Sequence, residues 1–298
     1  MAFALTSNDC LNLSKKLTIK SNDLYIAYGN GPSIDIMVNH SDKLEIRVKL
    51  NVEEFQNGRS IVKLGSATVL IDRSVCKITG VSVLNVICHH ESDRNYVSRL
   101  ITRLILTIWK TDRLSLELFS TDIVPMDCFA GLSIDSLRWY KKESPVELFR
   151  SVAENGSIDM FWFHGSHLIG NFNGFIRNRH ILVFYGGWVT QEHLLKMECE
   201  EIFVKDTTLS AASYRALLRA WEGGRLENLR KCELTYKDRP RSFEWAARGL
   251  DFIEWHPPLT SISGYDPEQQ EFLIRNVNGK LASFIFQSDY FMLKVWND

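Results

Sequence analysis

Alternating apolar and polar positions dominate the first third of the chain. Five short runs of β-branched or alternating apolar residues lie between residues 17 and 88, and Asn, Gly, Pro and Asp separate them. A period of two is typical of half-buried strands, and the separating residues favour turns. The pattern therefore predicts that residues 21–110 form a β-rich region.

An amphipathic helix is predicted at the end of this region, over residues 91–109. Its apolar residues recur at intervals of three and four, which places them on one face of a helix. They are Val97, Leu100, Ile101, Leu104, Ile105 and Ile108. Arg99 and Arg103 interrupt this apolar segment, which is also too short to cross a bilayer. We therefore expect no membrane partner for this chain.

Strand-like and helix-like segments alternate over residues 111–250. Parallel strands need a crossover connection, so the alternation predicts an α/β fold with parallel strands. Five strand-like segments share an apolar-x-x-apolar-x-apolar spacing, and their centres are residues 137, 161, 182, 202 and 232. These intervals of 20 to 30 residues predict irregular units similar to leucine-rich repeats, each of which buries its apolar face against its neighbours.

One residue of each segment lies between two inward-facing apolar positions and is predicted to point outward. Around residue 182, for example, Leu182 and Phe184 take the inward positions and Val183 lies between them. The five outward residues are Arg138, Trp162, Val183, Phe203 and Glu233. An apolar row flanked by charges is typical of interaction surfaces. Two interpretations stay open: the row binds a protein partner, or the N-terminal β region or a loop covers it as core.

A helix is predicted within the segment "LSAASYRALLRAWEGGRLENL", between Ser210 and Gly223-Gly224. Serine can cap the start of a helix, and glycine accepts the left-handed conformation that often follows the end of one. Four large apolar residues lie on one stripe, which we expect to pack against the sheet. They are Tyr214, Leu217, Leu218 and Trp221.

The last part of the chain, residues 251–298, is predicted to close the fold as a β meander. Three strand-like runs lie between residues 272 and 296, and the turn-forming sequences "NVNG" and "QSD" separate them. Short turns of this kind join antiparallel strands.

Composition narrows the classes of function. The net charge of −1 and the pI of about 6.7 give no overall field that attracts nucleic acid, so we expect no nucleic-acid partner. The first residues, "MAFALTSNDCLNLSKK", lack the pattern of a secretory signal. Six widely separated cysteines without a C-x-x-C pair are therefore expected to be buried thiols, as in an intracellular protein of the cytoplasm or nucleus.

Two histidine groups are the candidates for chemistry. Adjacent residues such as His89 and His90, before Glu91, point to opposite faces of a strand, so they rarely share a metal. His164 and His167 have a better spacing but no neighbouring cysteine or carboxylate. No nucleophile elbow, zinc-protease helix or phosphate-binding loop is present. We therefore predict a protein that is not an enzyme, without catalytic residues, metal site or cofactor.

Three blocks of the sequence resemble the nematode F-box-associated family of the second type. "LSAASYRALLRAWEGGRLENLRKCEL" is similar to the most recognisable block of that family, and "FLIRNVNGKLASFIFQSDYFMLKVW" is similar to its closing segment. "PSIDIMVN" resembles the strand with which the associated domain begins. The resemblance covers roughly residues 20–298. It implies that the β-rich part 21–110 and the repeat-like part 111–250 belong to one recognition domain that binds a protein target.

In that family an amino-terminal F-box docks on the Skp1 subunit of a cullin ubiquitin ligase. Residues 3–19 resemble only the last helix of an F-box, so we expect residues 1–20 to be a remnant of it. Its leucines would face Skp1, namely Leu5, Leu11, Leu13 and Leu17. The resemblance implies a substrate-recognition adaptor of a Skp1-cullin-F-box ligase. The alternative is a stand-alone binding module that sequesters a partner or competes for it without recruiting the ligase.

Overall fold

The fold is described from a computed structural model that divides the chain into two units, Met1–Lys141 and Lys142–Asp298. The structure describes residues 19–28, 34–40, 43–52, 61–64, 67–75, 82–88, 90–119, 126–129, 131–236, 249–250, 252–255, 271–287 and 289–296. Four leucines of the predicted F-box remnant lie outside these residues, namely Leu5, Leu11, Leu13 and Leu17. His89 also lies outside them.

Unit 1 contains a sheet of eight strands and a long helix among its described residues. The order across the sheet is β8-β7-β1-β2-β3-β6-β5-β4. The strands are β1 Ile19–Tyr28, β2 Ile34–His40, β3 Lys43–Val52, β4 Ile61–Leu64, β5 Ala67–Val75, β6 Ser82–Cys88, β7 Trp109–Leu118 and β8 Ile134–Trp139. Neighbours β1 and β7, β7 and β8, and β3 and β6 run parallel, and the other pairs run antiparallel.

Helix α1, Glu91–Ile108, packs against the sheet of unit 1 as its periodicity predicts. Five of the six residues on the predicted apolar stripe are buried, and Leu100 is partly exposed. The buried Tyr28 hydroxyl shares a hydrogen bond of 2.7 Å with the Thr102 hydroxyl, which satisfies both polar groups in the core. The amphipathic helix predicted over residues 91–109 is confirmed.

Unit 2 alternates strands and helices along the chain. Its elements are β9 Glu143–Pro145, α2 Val146–Ala153, β10 Ile158–Phe163, β11 His167–Ile169, β12 His180–Val183, α3 Gln191–Lys196, β13 Glu201–Thr207, α4 Ala211–Glu222, β14 Lys231–Tyr236, β15 Phe252–Trp255, β16 Glu271–Arg275, β17 Leu281–Phe286 and β18 Tyr290–Val295. The main sheet has the order β15-β16-β17-β18-β14-β13-β12-β10, and β9 pairs with β11 separately.

The direction of the strands in unit 2 confirms the predicted α/β fold class. Strands β10, β12, β13 and β14 run parallel in consecutive pairs. Strands β14 to β18 are joined antiparallel, so the predicted carboxy-terminal meander is present and β15 extends it. The fifth repeat-like segment is β8, which lies in unit 1 and runs parallel to β7.

Helix α4 covers one face of this sheet with its predicted stripe. Tyr214, Leu217, Leu218 and Trp221 are all buried, and each such side chain contributes about 1.5–3 kcal/mol when it leaves water. Gly224 follows the helix with a φ of +75°, as a left-handed cap requires. Ser210 precedes the first residue of the helix, but its hydroxyl bonds to the Ser213 hydroxyl at 3.2 Å and to no backbone N–H.

Candidate protein-binding surface

Strand register in unit 2 brings four side chains into one row on the sheet face opposite the helices. Trp162 pairs with Leu182, Leu182 with Phe203, and Phe203 with Glu233. All four residues are partly exposed, so none of them is enclosed in the core. We call Trp162, Leu182, Phe203 and Glu233 the outward row. Three of these are among the residues predicted to contact a partner.

Val183 was predicted to point outward, and this prediction is wrong. Val183 has no exposed surface and pairs with Phe163 and Val204, which are equally buried. The neighbouring Leu182 takes its place in the outward row. Side chains of a strand alternate between faces, so an error of one residue in the assigned register exchanges the two faces.

Arg138, the remaining predicted contact residue, lies on β8 in unit 1. Its guanidinium donates to a carboxylate oxygen of Glu117 at 3.0 Å, and the Tyr25 hydroxyl donates to the other oxygen. Burial and this hydrogen bond raise the pKa of Tyr25. A carboxylate that is itself buried thus has both oxygens satisfied, which stabilises the arrangement of β1, β7 and β8.

A lysine ammonium lies over two aromatic rings beside the outward row, on the side where the strands end. The Lys205 ammonium is 5.1 Å from the ring centroid of Phe184 and 5.6 Å from that of Phe203. The Phe184 ring also stacks on the His164 ring, with 3.7 Å between the centroids. Contacts at these distances are typical of cation–π attraction, which holds the lysine stem along the apolar surface.

A histidine–carboxylate contact and an ion pair border the outward row on the side where the strands begin. The His180 imidazole is 3.4 Å from a Glu201 carboxylate oxygen, and the Lys231 ammonium is 3.2 Å from a Glu233 carboxylate oxygen. Glu201 and Glu233 therefore each have a basic group beside them. Glu233 belongs to the outward row itself, so its charge is largely balanced within the surface.

The opposite face of the sheet is supported by a dense aromatic cluster. The Phe149 ring of α2 has four aromatic neighbours with centroids 4.9 to 5.7 Å away: Phe161, Phe163, Phe172 and Trp188. Close packing of this kind holds strand β10 in one conformation. The outward row is therefore presented on a well-packed support.

A ladder of alternating charges crosses the beginning of the same strands. Arg179 lies 3.9 Å from Asp159 and 2.9 Å from Glu200, and Arg230 lies 3.3 Å from Glu200. The hydrogen bond from Arg179 holds the pKa of the Glu200 carboxyl below its usual range, and Glu200 in turn raises the pKa of Arg179. Sequence analysis missed this charge ladder. Arg179 and Arg230 are exposed, Asp159 and Glu200 are partly exposed, and ion pairs near the surface each contribute little to stability.

A polar cleft of about 430 Å³ adjoins the charge ladder. Glu200, Arg230, Lys280 and Trp296 contribute to its lining. The two charged groups from the ladder pair with each other, and the Lys280 ammonium donates to the Glu227 carbonyl at 3.5 Å. The arrangement is that of a solvated groove between paired charges.

The candidate histidines and two of the cysteines show no arrangement for metal binding or nucleophilic chemistry among the described residues. His90 and His167 are exposed. Within the described part of the chain, no three His, Cys, Asp or Glu side chains come together in a way that could hold a metal ion. Burial raises the pKa of the Cys199 thiol to about 12 and also raises that of Cys232, so both thiols stay protonated and unreactive near neutral pH.

None of the helices formed by the described residues is both long enough and apolar enough to span a membrane. No family model matches the chain, and neither curated proteins nor solved structures give a match. The resemblance to the F-box-associated family therefore rests on the three sequence blocks quoted above.

Proposed function

We propose that this protein is a non-enzymatic adaptor that binds a protein partner through the outward row. The observation that carries the proposal is the row itself, in which Trp162, Leu182 and Phe203 are partly exposed side by side. Aromatic residues are enriched at protein interfaces, and they contribute most of the binding energy when they are central. A rigid support also reduces the ordering cost of binding.

The dimensions of the row suit a segment of another protein. Four strands at about 4.8 Å each place its ends about 14 Å apart. Met292 of β18 pairs with Glu233 and extends the row by one strand. A short helix or an extended peptide can cover this length, and both modes of recognition are common.

The sequence resemblance supports a ligase context for this binding. We propose that residues 1–20 dock on Skp1 through Leu5, Leu11, Leu13 and Leu17, in the cytoplasm or nucleus. A single helix buries little area, however, and stable interfaces bury about 1,200–2,000 Å² in total. The second candidate is therefore a stand-alone module that sequesters a partner or competes for it, without Skp1 or cullin.

Mixing the full chain with recombinant Skp1 discriminates between these two functions. An adaptor elutes together with Skp1 in size-exclusion chromatography, and substituting Leu11 and Leu13 with Asp abolishes the complex. Substituting Leu182 with Asp, in the outward row, leaves that complex intact. A chain that never elutes with Skp1 favours the stand-alone module.

Partner binding through the outward row is tested by comparing the proteins captured from a cell extract. We expect Leu182→Asp and Phe203→Asp to lose proteins that the wild-type chain captures. A charge change on α3, such as Lys196→Glu, retains them because that helix packs on the opposite face of the sheet. Identical captured proteins for all variants would contradict the proposal.

A further inference from the structure

Resting on the proposed function, we infer that the outward row recognises an acidic segment of its partner, in which a carboxylate lies close to an apolar anchor. Lys205 is the residue that selects the carboxylate. The apolar anchor contacts Leu182 and Phe203, and the carboxylate reaches the lysine ammonium at the edge of the row.

The position of Lys205 carries this inference. Its ammonium lies over the rings of Phe184 and Phe203 at 5.1 and 5.6 Å, so the charge is held at the apolar surface. Lys205 has no carboxylate within ion-pair distance among the residues that the structure describes. An incoming carboxylate would therefore meet a positioned cation that is already partly removed from water.

The other charges of this face strengthen the contrast. Glu201 lies beside His180 at 3.4 Å, and Glu233 lies beside Lys231 at 3.2 Å. Glu201 and Glu233 thus have basic neighbours on the protein, whereas Lys205 forms no ion pair with any of the described residues. A charge-assisted hydrogen bond is stronger than one between neutral groups, and a partly exposed lysine favours an acidic partner over a basic one.

The spacing on β13 defines the geometry of the partner. Phe203 and Lys205 are two residues apart on one face of a strand, which separates their positions by about 7 Å. A partner helix matches this distance with an anchor and a carboxylate at i and i+4, and a partner strand matches it at i and i+2. The inference therefore concerns the pair of side chains and applies to either backbone conformation.

A nucleic acid is a poorer occupant of the surface. Phosphate backbones require several unpaired cations along a groove. The outward row contains Glu233, and Glu201 lies at its edge, so the surface carries acidic groups where a polyanion would contact it.

The test uses a phage-displayed library of random dodecapeptides, selected on the full-length protein. We expect enriched peptides to carry Asp or Glu within four residues of Trp, Phe, Leu or Ile. A synthetic copy of one enriched peptide then serves as the probe for affinity measurements. Lys205→Glu should weaken its binding about tenfold or more, which corresponds to the loss of one favourable charge contact. Lys205→Arg should retain most of the affinity, since it keeps the charge.

The matched control is Lys196→Glu, which makes the same change of charge on helix α3. It should leave the affinity unchanged within about twofold. A library selection on the Lys205→Glu variant should enrich Lys or Arg beside the apolar anchor. Urea unfolding of each variant establishes that the fold is retained.

Three outcomes would overturn the inference, and they differ in what they mean for the proposed function. Peptides that depend on Leu182 and Phe203 but show no preference for acidic residues would leave the proposed function intact. If substitutions in the outward row leave peptide binding unchanged, both the inference and the proposed binding through this row are contradicted. A wild-type dimer that becomes monomeric after Phe203→Asp would identify a second copy of the chain as the occupant.

Discussion

The backbone N–H of Val277 donates a hydrogen bond of 2.8 Å to the carbonyl oxygen of Glu222. The hairpin turn between β16 and β17 is thereby joined to the last turn of α4, where a carbonyl would otherwise lack a partner within the helix. Gly224 lies directly under the same turn, and a Cβ atom there would come within 3.0 Å of the Val277 side chain. The contact connects the two long sequence blocks on which the family resemblance rests.

Gly224→Ala is expected to destabilise the protein by about 1–3 kcal/mol. An alanine at a φ of +75° is strained, and its methyl group would push Val277 away from the helix end. The free energy of unfolding in urea measures the effect. Gly156→Ala is the control, because its added methyl group meets no atom within 4 Å. Equal stability of the two variants would show that the hairpin contact contributes little.

Leu182→Asp and Val183→Asp should have opposite consequences although the residues are adjacent. Val183 is completely buried, so an aspartate there costs at least about 3 kcal/mol and unfolds the chain or leaves it barely folded. Leu182 faces outward and is partly exposed, and the same change should cost about 1 kcal/mol. Thermal unfolding followed by circular dichroism distinguishes the variants. A larger loss for Leu182→Asp would contradict the assignment of faces.

The apolar pattern predicted the helices better than the faces of the short strands. Helix α4 shows a clear stripe because one of its sides is polar. Strand β12 is only four residues long and continues an apolar run, "HILVFYG", in which both faces are apolar. An uninterrupted apolar run shows no alternation of apolar and polar residues. The sequence therefore does not show which face of the strand Val183 occupies.

The charge ladder is a surface feature that the spacing of charged residues in the sequence could have predicted. Asp159, Arg179, Glu200 and Arg230 recur within one residue of the intervals of the apolar pattern, with alternating sign. Applying the repeat period to charged positions would have found them. The position of Lys205 over Phe184 could not be predicted in this way, because it depends on the pairing of β12 with β13.

His193→Ala should destabilise the protein by about 2–4 kcal/mol. The buried imidazole accepts a hydrogen bond of 3.1 Å from the Thr190 backbone N–H through Nδ1, so Nε2 carries the proton and donates to the Phe172 carbonyl at 2.6 Å. The substitution leaves both backbone groups without this partner and opens a cavity beside Trp188. Urea unfolding measures the loss. His167→Ala, at an exposed position, should change stability by less than about 0.5 kcal/mol. Matching effects would mean that the His193 hydrogen bonds are dispensable.

Glu200→Gln should reduce stability at neutral pH, and the reduction should disappear in acid. The Arg179 hydrogen bond holds the pKa of Glu200 below the ordinary value of 4.5 in the folded protein. A carboxyl with a lowered folded pKa stabilises the fold above its unfolded pKa, and the stabilisation is lost as the pH falls through the lower folded value. The wild-type and Glu200→Gln curves of urea midpoint against pH should therefore converge below a pH of about 4.

Salt provides an independent check on the same ion pairs. At about 1 M NaCl the Debye length is about 3 Å, so the difference between wild type and Glu200→Gln at neutral pH should shrink. Glu227→Gln is the control, since Glu227 is exposed and makes no ion pair with the described residues. A difference for Glu200→Gln that is constant in pH and salt would assign the effect to packing of the amide, because packing responds to neither variable. If the stabilities of wild type and Glu200→Gln converge both at low pH and at high salt, the ladder acts through charge.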